Sequence, residues 1–149
     1  MGWWILGFIL MIILIFPVIT VIKTISQALK KSWFNKNYES KIIYSKVVGV
    51  THRNDNRTSR QKIIKNSKPG EDIFIIQSPS DEFPNAVKVC NGKGEQLGWL
   101  NQELAQEMTK YFNEGWTIQV IITNITGGEE DKPTYGCNIK IGMYRSYKK

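Results

Sequence analysis

The hydrophobic pattern divides the chain before any single motif stands out. Residues 1–22 run without a charged side chain, and every Lys, Arg, Asp and Glu follows them. At ~1.5 Å per helical residue the run reaches ~30 Å, the thickness of a bilayer's hydrocarbon core. It predicts a single N-terminal transmembrane helix, with Trp3 and Trp4 at its interfacial end. No basic segment precedes it and no small-x-small site follows closely, which separates it from a cleaved signal peptide. Residues 23–41 read as a basic juxtamembrane linker. In it Ile25, Leu29 and Trp33 recur every four residues, the stripe of a helix lying on a surface, until Asn35-Lys36-Asn37 interrupts it.

From there the pattern becomes that of short strands. Ile42, Ile43, Tyr44, Val47, Val48 and Val50 give residues 41–51 a β-branched density, and Gly49 marks a bulge or close approach. Thr58 or Ser59 caps a short helix reaching Lys65, with Ile63 and Ile64 facing inward, and Pro69-Gly70 ends the segment. Residues 72–77 are apolar on both faces, which predicts a central strand. The strongest local signal is a hairpin. Val87 and Val89 alternate with mixed neighbours, Asn91-Gly92-Lys93-Gly94 supplies the turn, and Gln96–Leu100 returns. Gly98 removes a side chain within that second strand, where another backbone can come close, and Trp99 stands where strand passes into helix. Asn101 caps that helix, Leu104, Met108, Tyr111 and Phe112 form its apolar stripe, and Gly115 stops it. Strands at residues 116–125 and 135–144 follow, then a basic tail at 146–149. The fold class expected for residues 42–145 is mainly β (α+β): about six strands, one well-patterned helix and one short helix in a small, partly open barrel. A parallel α/β sheet is excluded because no crossover is long enough.

Charge and chemistry narrow this further. The formal net charge is +7, and residues 23–46 hold six lysines against Glu39 alone. The positive-inside rule then places the folded part in the cytoplasm, with the lysines drawn to anionic membrane lipid. Cys90 and Cys137 fall in expected strands and read as free, buried thiols. With one histidine and no Cys-x-x-Cys pair, no metal site and no cofactor is expected. No P-loop and no Ser-His-Asp order occurs, so the expectation is a non-enzyme. Asp81, Glu82, Glu129, Glu130 and Asp131 leave a metal-dependent nuclease as a minor alternative. Arg53, Arg57, Arg60, Lys62, Lys65 and Lys68 make a basic run that suits either a phosphate-tracking groove or a solvated helix face. Phe83 and Trp99 suit either base stacking or partial burial.

Residues 46–144 resemble the HIRAN domain, an OB-like β-barrel module. The resemblance is carried, in the family's order, by Val47-Val48-Gly49-Val50, Thr58-Ser59-Arg60-Gln61, Asn85-Ala86-Val87-Lys88-Val89, Gly94-Glu95-Gln96-Leu97-Gly98-Trp99-Leu100, Glu103-Leu104-Ala105, Ile125-Thr126-Gly127-Gly128 and Gly136-Cys137-Asn138-Ile139. It implies binding of nucleic acid, single-stranded DNA or its ends, with aromatic rings stacked on bases at ~1–3 kcal/mol each. Thr51 and His52 stand where the family places a basic residue and an aromatic, with Arg53 beside them. Trp99 takes a position the family fills with Tyr or His. The loop Ser80-Asp81-Glu82-Phe83-Pro84 is shorter than the family's and lacks its matching Asp, while Phe83 supplies a ring. The nucleic-acid-binding residues implied are therefore Thr51, His52, Arg53, Arg60, Phe83 and Trp99. A second reading of the same groove is a protein-interaction module holding a partner's peptide or tail.

Overall fold

The structure, a computed structural model, describes residues 19–33 and 38–147. Most of the transmembrane run expected at 1–22 lies outside them. Residues 19–33 are helical, reach only ~22 Å and carry Lys23, Lys30 and Lys31. No helix among the described residues is long and apolar enough to cross a membrane, so the structure lends the anchor no support. Trp33 and Tyr38 meet edge-on, with ring centroids 5.7 Å apart.

Ser40–Arg145 form a compact unit. The elements are β1 (Tyr38–Lys46), α1 (Arg60–Asn66), β2 (Asp72–Gln77), β3 (Val87–Asn91), β4 (Gln96–Trp99), α2 (Gln102–Asn113), β5 (Thr117–Thr126) and β6 (Gly136–Ser146). The strands make one sheet in the order β1-β6-β5-β2-β3-β4, with antiparallel pairing at every ladder from β6 to β4. The expected barrel is thus an open sheet with β1 and β4 at its edges. Alternate residues of β6 are buried, from Cys137 through Ile139 and Ile141 to Met143, as a half-buried strand requires. Ile141 stands opposite Val120, and Val120 opposite Ile73, so one row of branched side chains crosses three strands. Ile63 and Ile64 of α1 and Leu104, Ala105 and Met108 of α2 join the same core.

Both helices start as the sequence predicts. Ser59 accepts from the Lys62 amide, and Asn101 Oδ1 accepts from the Leu104 amide at 2.8 Å, each satisfying an amide that lacks a helical partner. Gly115, at φ +71°, ends the longer one. Lys41 reaches from β1 to Glu107 and to the Tyr111 hydroxyl on α2. That pairing raises the Lys41 pKa and lowers that of Glu107. In the hairpin, Asn91 is buried and its Oδ1 accepts from the amides of Lys93 and Glu95, fixing the turn from inside.

Two expectations need correction. The first strand begins at Tyr38, inside the expected linker, and ends at Lys46 rather than continuing to residue 51. Its valine run does something else. The Val47 amide still donates to Cys137 O of β6 (2.9 Å), but Val48 exchanges both backbone hydrogen bonds with Trp99 of β4 (2.9 and 3.0 Å). A single bridge therefore spans the two edges of the open sheet. β2 is central as expected, yet only one of its faces is covered: Phe74 and Ile76 are 38% and 45% exposed.

That bridge depends on Gly98. A Cβ there would lie 2.3 Å from Val48 O and 2.6 Å from Val47 Cγ1. Just before it, β4 carries one residue more than β3 between the Val89–Gly98 and Cys90–Gln96 pairs, a bulge at Leu97 that bends the strand toward the bridge. Gly98→Ala is expected to cost about 3 kcal/mol, read as a shift in the urea midpoint. Gly92→Ala, with open space around it, should stay within about 0.5 kcal/mol.

The two cysteines are free and buried. Burial raises the thiol pKa of Cys90 and pushes that of Cys137 up to about 12. Both should resist iodoacetamide at about pH 8 in the folded protein and react once it is unfolded, as followed by mass spectrometry.

Candidate functional site

The loop between Val48 and α1 is built on two side chains from the first turn of that helix. Arg60 is only 6% exposed. Its Nη1 donates to Gly49 O (2.9 Å) and its Nε to Asn54 Oδ1 (2.6 Å), while Asn54 Nδ2 donates to Gln96 O of β4 (3.0 Å). Desolvation lowers the Arg60 pKa, offset in part by Asp55, but a guanidinium stays charged regardless. Gln61 does similar work beside it. Its Nε2 donates to Val50 O and Tyr135 O, and its Oε1 accepts from the Tyr135 amide (2.7 Å), so the amide substitutes for a strand neighbour. Gly49 turns at φ +67° where a Cβ would press on Arg60 Nη1 and Trp99 Cδ1, each at 3.3 Å.

This loop forms one wall of a cleft of about 630 Å³. His52 comes from the loop, Phe83 from the β2–β3 connection, Trp99 from the end of β4, and Asn101 and Gln102 from the start of α2. The volume suits a small ligand or one end of a larger one. Phe83 is 53% exposed, and its backbone is held in place. Ser80 N donates to Phe83 O and Phe83 N to Ser80 Oγ, both at 3.1 Å, and Ala86 N also donates to Phe83 O. Trp99 is half-buried, its ring 5.5 Å from the Lys88 ammonium.

The six residues singled out from the sequence are therefore dispersed. His52, Phe83 and Trp99 share the cleft. Thr51 is exposed in the turn beside it. Arg53 lines a different cleft of about 530 Å³, together with Arg57, Lys62 and Lys93. Arg60 lies beneath the loop, with two of its donor groups directed at protein acceptors, so its place is that of a positioning residue. Sequence reasoning missed Lys88, although the hairpin register that sets it opposite Trp99 was a usable signal. It also missed Asn54, whose role needs the folded loop to be seen. Among the described residues no group of three His, Cys, Asp or Glu side chains is placed to hold a metal.

The family model of the HIRAN domain matches residues 40–143. Among solved structures, the HIRAN domain of human HLTF superposes with a TM-score of 0.54 at 18% identity, covering 74% of this chain and 82% of that one. A protein from Lactobacillus plantarum gives 0.56 at 14% identity, covering 72% and 98%. At such identities the likeness is one of fold. No curated protein matches the sequence.

Arg60→Ala would leave Asn54 Oδ1 without its donor and Gly49 O with the His52 amide alone, at an expected cost of about 2 kcal/mol. Arg60→Lys would recover little of it, because one ammonium cannot reproduce the fork. Lys65→Ala, on the exposed side of α1, should change stability by less than about 0.5 kcal/mol. Thermal denaturation of the three variants checks the ranking.

Proposed function

The chain belongs to the HIRAN domain family, and on that premise we propose that it is a non-catalytic module binding single-stranded nucleic acid, DNA or its ends, in the cleft between Phe83 and Trp99. The observation that carries this reading is the pair of rings. Two aromatic side chains frame one cleft, and the backbone that carries the more exposed of them is held by hydrogen bonds in its own loop. Flat rings at the rim accept any base, since every base offers a π-face. Lys88 beside Trp99 and the N-terminus of α2 at the cleft supply positive potential for a phosphate.

The lining itself contains no lysine or arginine and has Glu82 as its acidic member. That favours a second reading, an apolar peptide segment of a partner protein held in the same cleft. In either case residues 1–22 are read as a membrane tether with the module facing the cytoplasm, on the strength of their uncharged length and the lysines that follow.

Fluorescence anisotropy of the full chain with labelled single strands separates the two. Nucleic-acid binding should weaken steeply with salt. Phe83→Ala should lower affinity by about 5- to 150-fold, the loss of one stacked base, without a change in thermal stability. Absence of salt-dependent binding near ~10⁻⁴ M would remove the first reading. Binding of apolar peptides that is lost in the same variant would establish the second.

A further inference from the structure

The basic run after β1 does not line the aromatic cleft. It turns away from it at one peptide bond: His52 faces the cleft of Phe83 and Trp99, while Arg53 faces the second one. There Arg53 and Arg57 of the loop, Lys62 of α1 and Lys93 of the β3–β4 turn converge from three elements, whereas Lys65 and Lys68 do not take part. None of the four cations forms an ion pair among the described residues. The two acids that share the lining are engaged elsewhere, Glu71 accepting from the Lys68 amide and Glu95 from Asn91 Nδ2.

Arg57 adds a second observation. It is the one non-glycine residue among those described with positive φ, at 64°, a conformation that glycine or asparagine adopts at less cost. The loop holds it there through Arg57 N to Asn54 O (2.8 Å), Asn54 N to Thr58 O (3.0 Å) and Arg53 Nη1 to Arg57 O (3.1 Å). Arg57 thus carries its cation into the cleft from a backbone position that glycine would adopt with less strain.

We propose that this second cleft is a phosphate track: it holds the sugar–phosphate backbone of the strand whose bases enter the aromatic cleft, with the loop at 49–59 as the wall the strand crosses. The inference rests on the nucleic-acid reading and divides its labour. The aromatic cleft takes bases with little charge, and the basic cleft takes phosphates with no base contact, so affinity grows with strand length past the first few nucleotides.

The test compares the full chain with a variant carrying Arg57→Gly, Lys62→Ala and Lys93→Ala, using oligothymidylates of about three and about twelve nucleotides. Glycine suits the positive φ at 57, and Lys62 and Lys93 are exposed, so the variant should melt close to the parent. Affinity for the longer strand is expected to fall about 10-fold or more at low salt. The slope of log K against log salt should shrink by about 2, the value for three phosphate contacts on a single strand. Affinity for the shorter strand should change less than about twofold. Unchanged affinity and slope for the longer strand, or an equal loss for both lengths, would overturn the phosphate track and leave the aromatic cleft standing. Failure of the parent chain to bind either length would overturn the nucleic-acid reading, and this inference with it.

Discussion

The absence of one side chain, at Gly98, decides how this domain is assembled. Six strands lie in an open sheet whose edges are β1 and β4. What brings those edges together is the pair of backbone hydrogen bonds between Val48 and Trp99, which form only because the neighbouring strand offers bare backbone at Gly98. The bridge does more than close a gap. It orients Trp99 toward the cleft, starts the loop that carries His52, and places Gly49 against the tryptophan edge. Fold and site are thus joined at a single residue pair, and the bulge at Leu97 is the local distortion that lets β4 reach it.

Arg60 and Gln61 show how a polar loop is kept in shape where no regular ladder can serve. Burying a guanidinium is unfavourable by itself, and it is tolerated here because its donors meet fixed oxygens of Gly49 and Asn54. Gln61, with one acceptor and two donor bonds to backbone groups, completes the same side of the loop. From the sequence, Arg60 reads as one member of a basic run that suits a groove or a solvated helix face, and Gln61 only as part of the family-like segment beside it. Folded, they form the base on which the exposed cations Arg53 and Arg57 stand.

What was legible in the sequence follows a physical boundary. The cap at Asn101, the cap at Thr58 or Ser59 (it is Ser59), the stop at Gly115, the hairpin turn and the existence of β5 and β6 all depend on residues within a few positions of each other, and each is found. Gly98 announced a close approach of backbone, but not that its partner is Val48. Where β1 ends, which residues form the bridge and why Arg60 is buried all depend on partners that sequence spacing does not reveal. Phe74 and Ile76 misled for a related reason: an apolar residue announces that burial is favourable, not that a covering element exists. The cleft was half legible. Phe83 and Trp99 could be named as rings, but Lys88 and Lys93 gain meaning only from the register of the hairpin that carries them.

Phe83 also bears on the timing of an entropy cost. The backbone of a surface loop ordinarily keeps its freedom until something binds, and loses it at that moment. Here Ser80 and Ala86 immobilise the backbone around the ring during folding. An arriving molecule then meets a surface already ordered, and less of the contact's enthalpy is cancelled on encounter. Weak individual contacts at such a surface remain useful, and recognition can be broad without being slow.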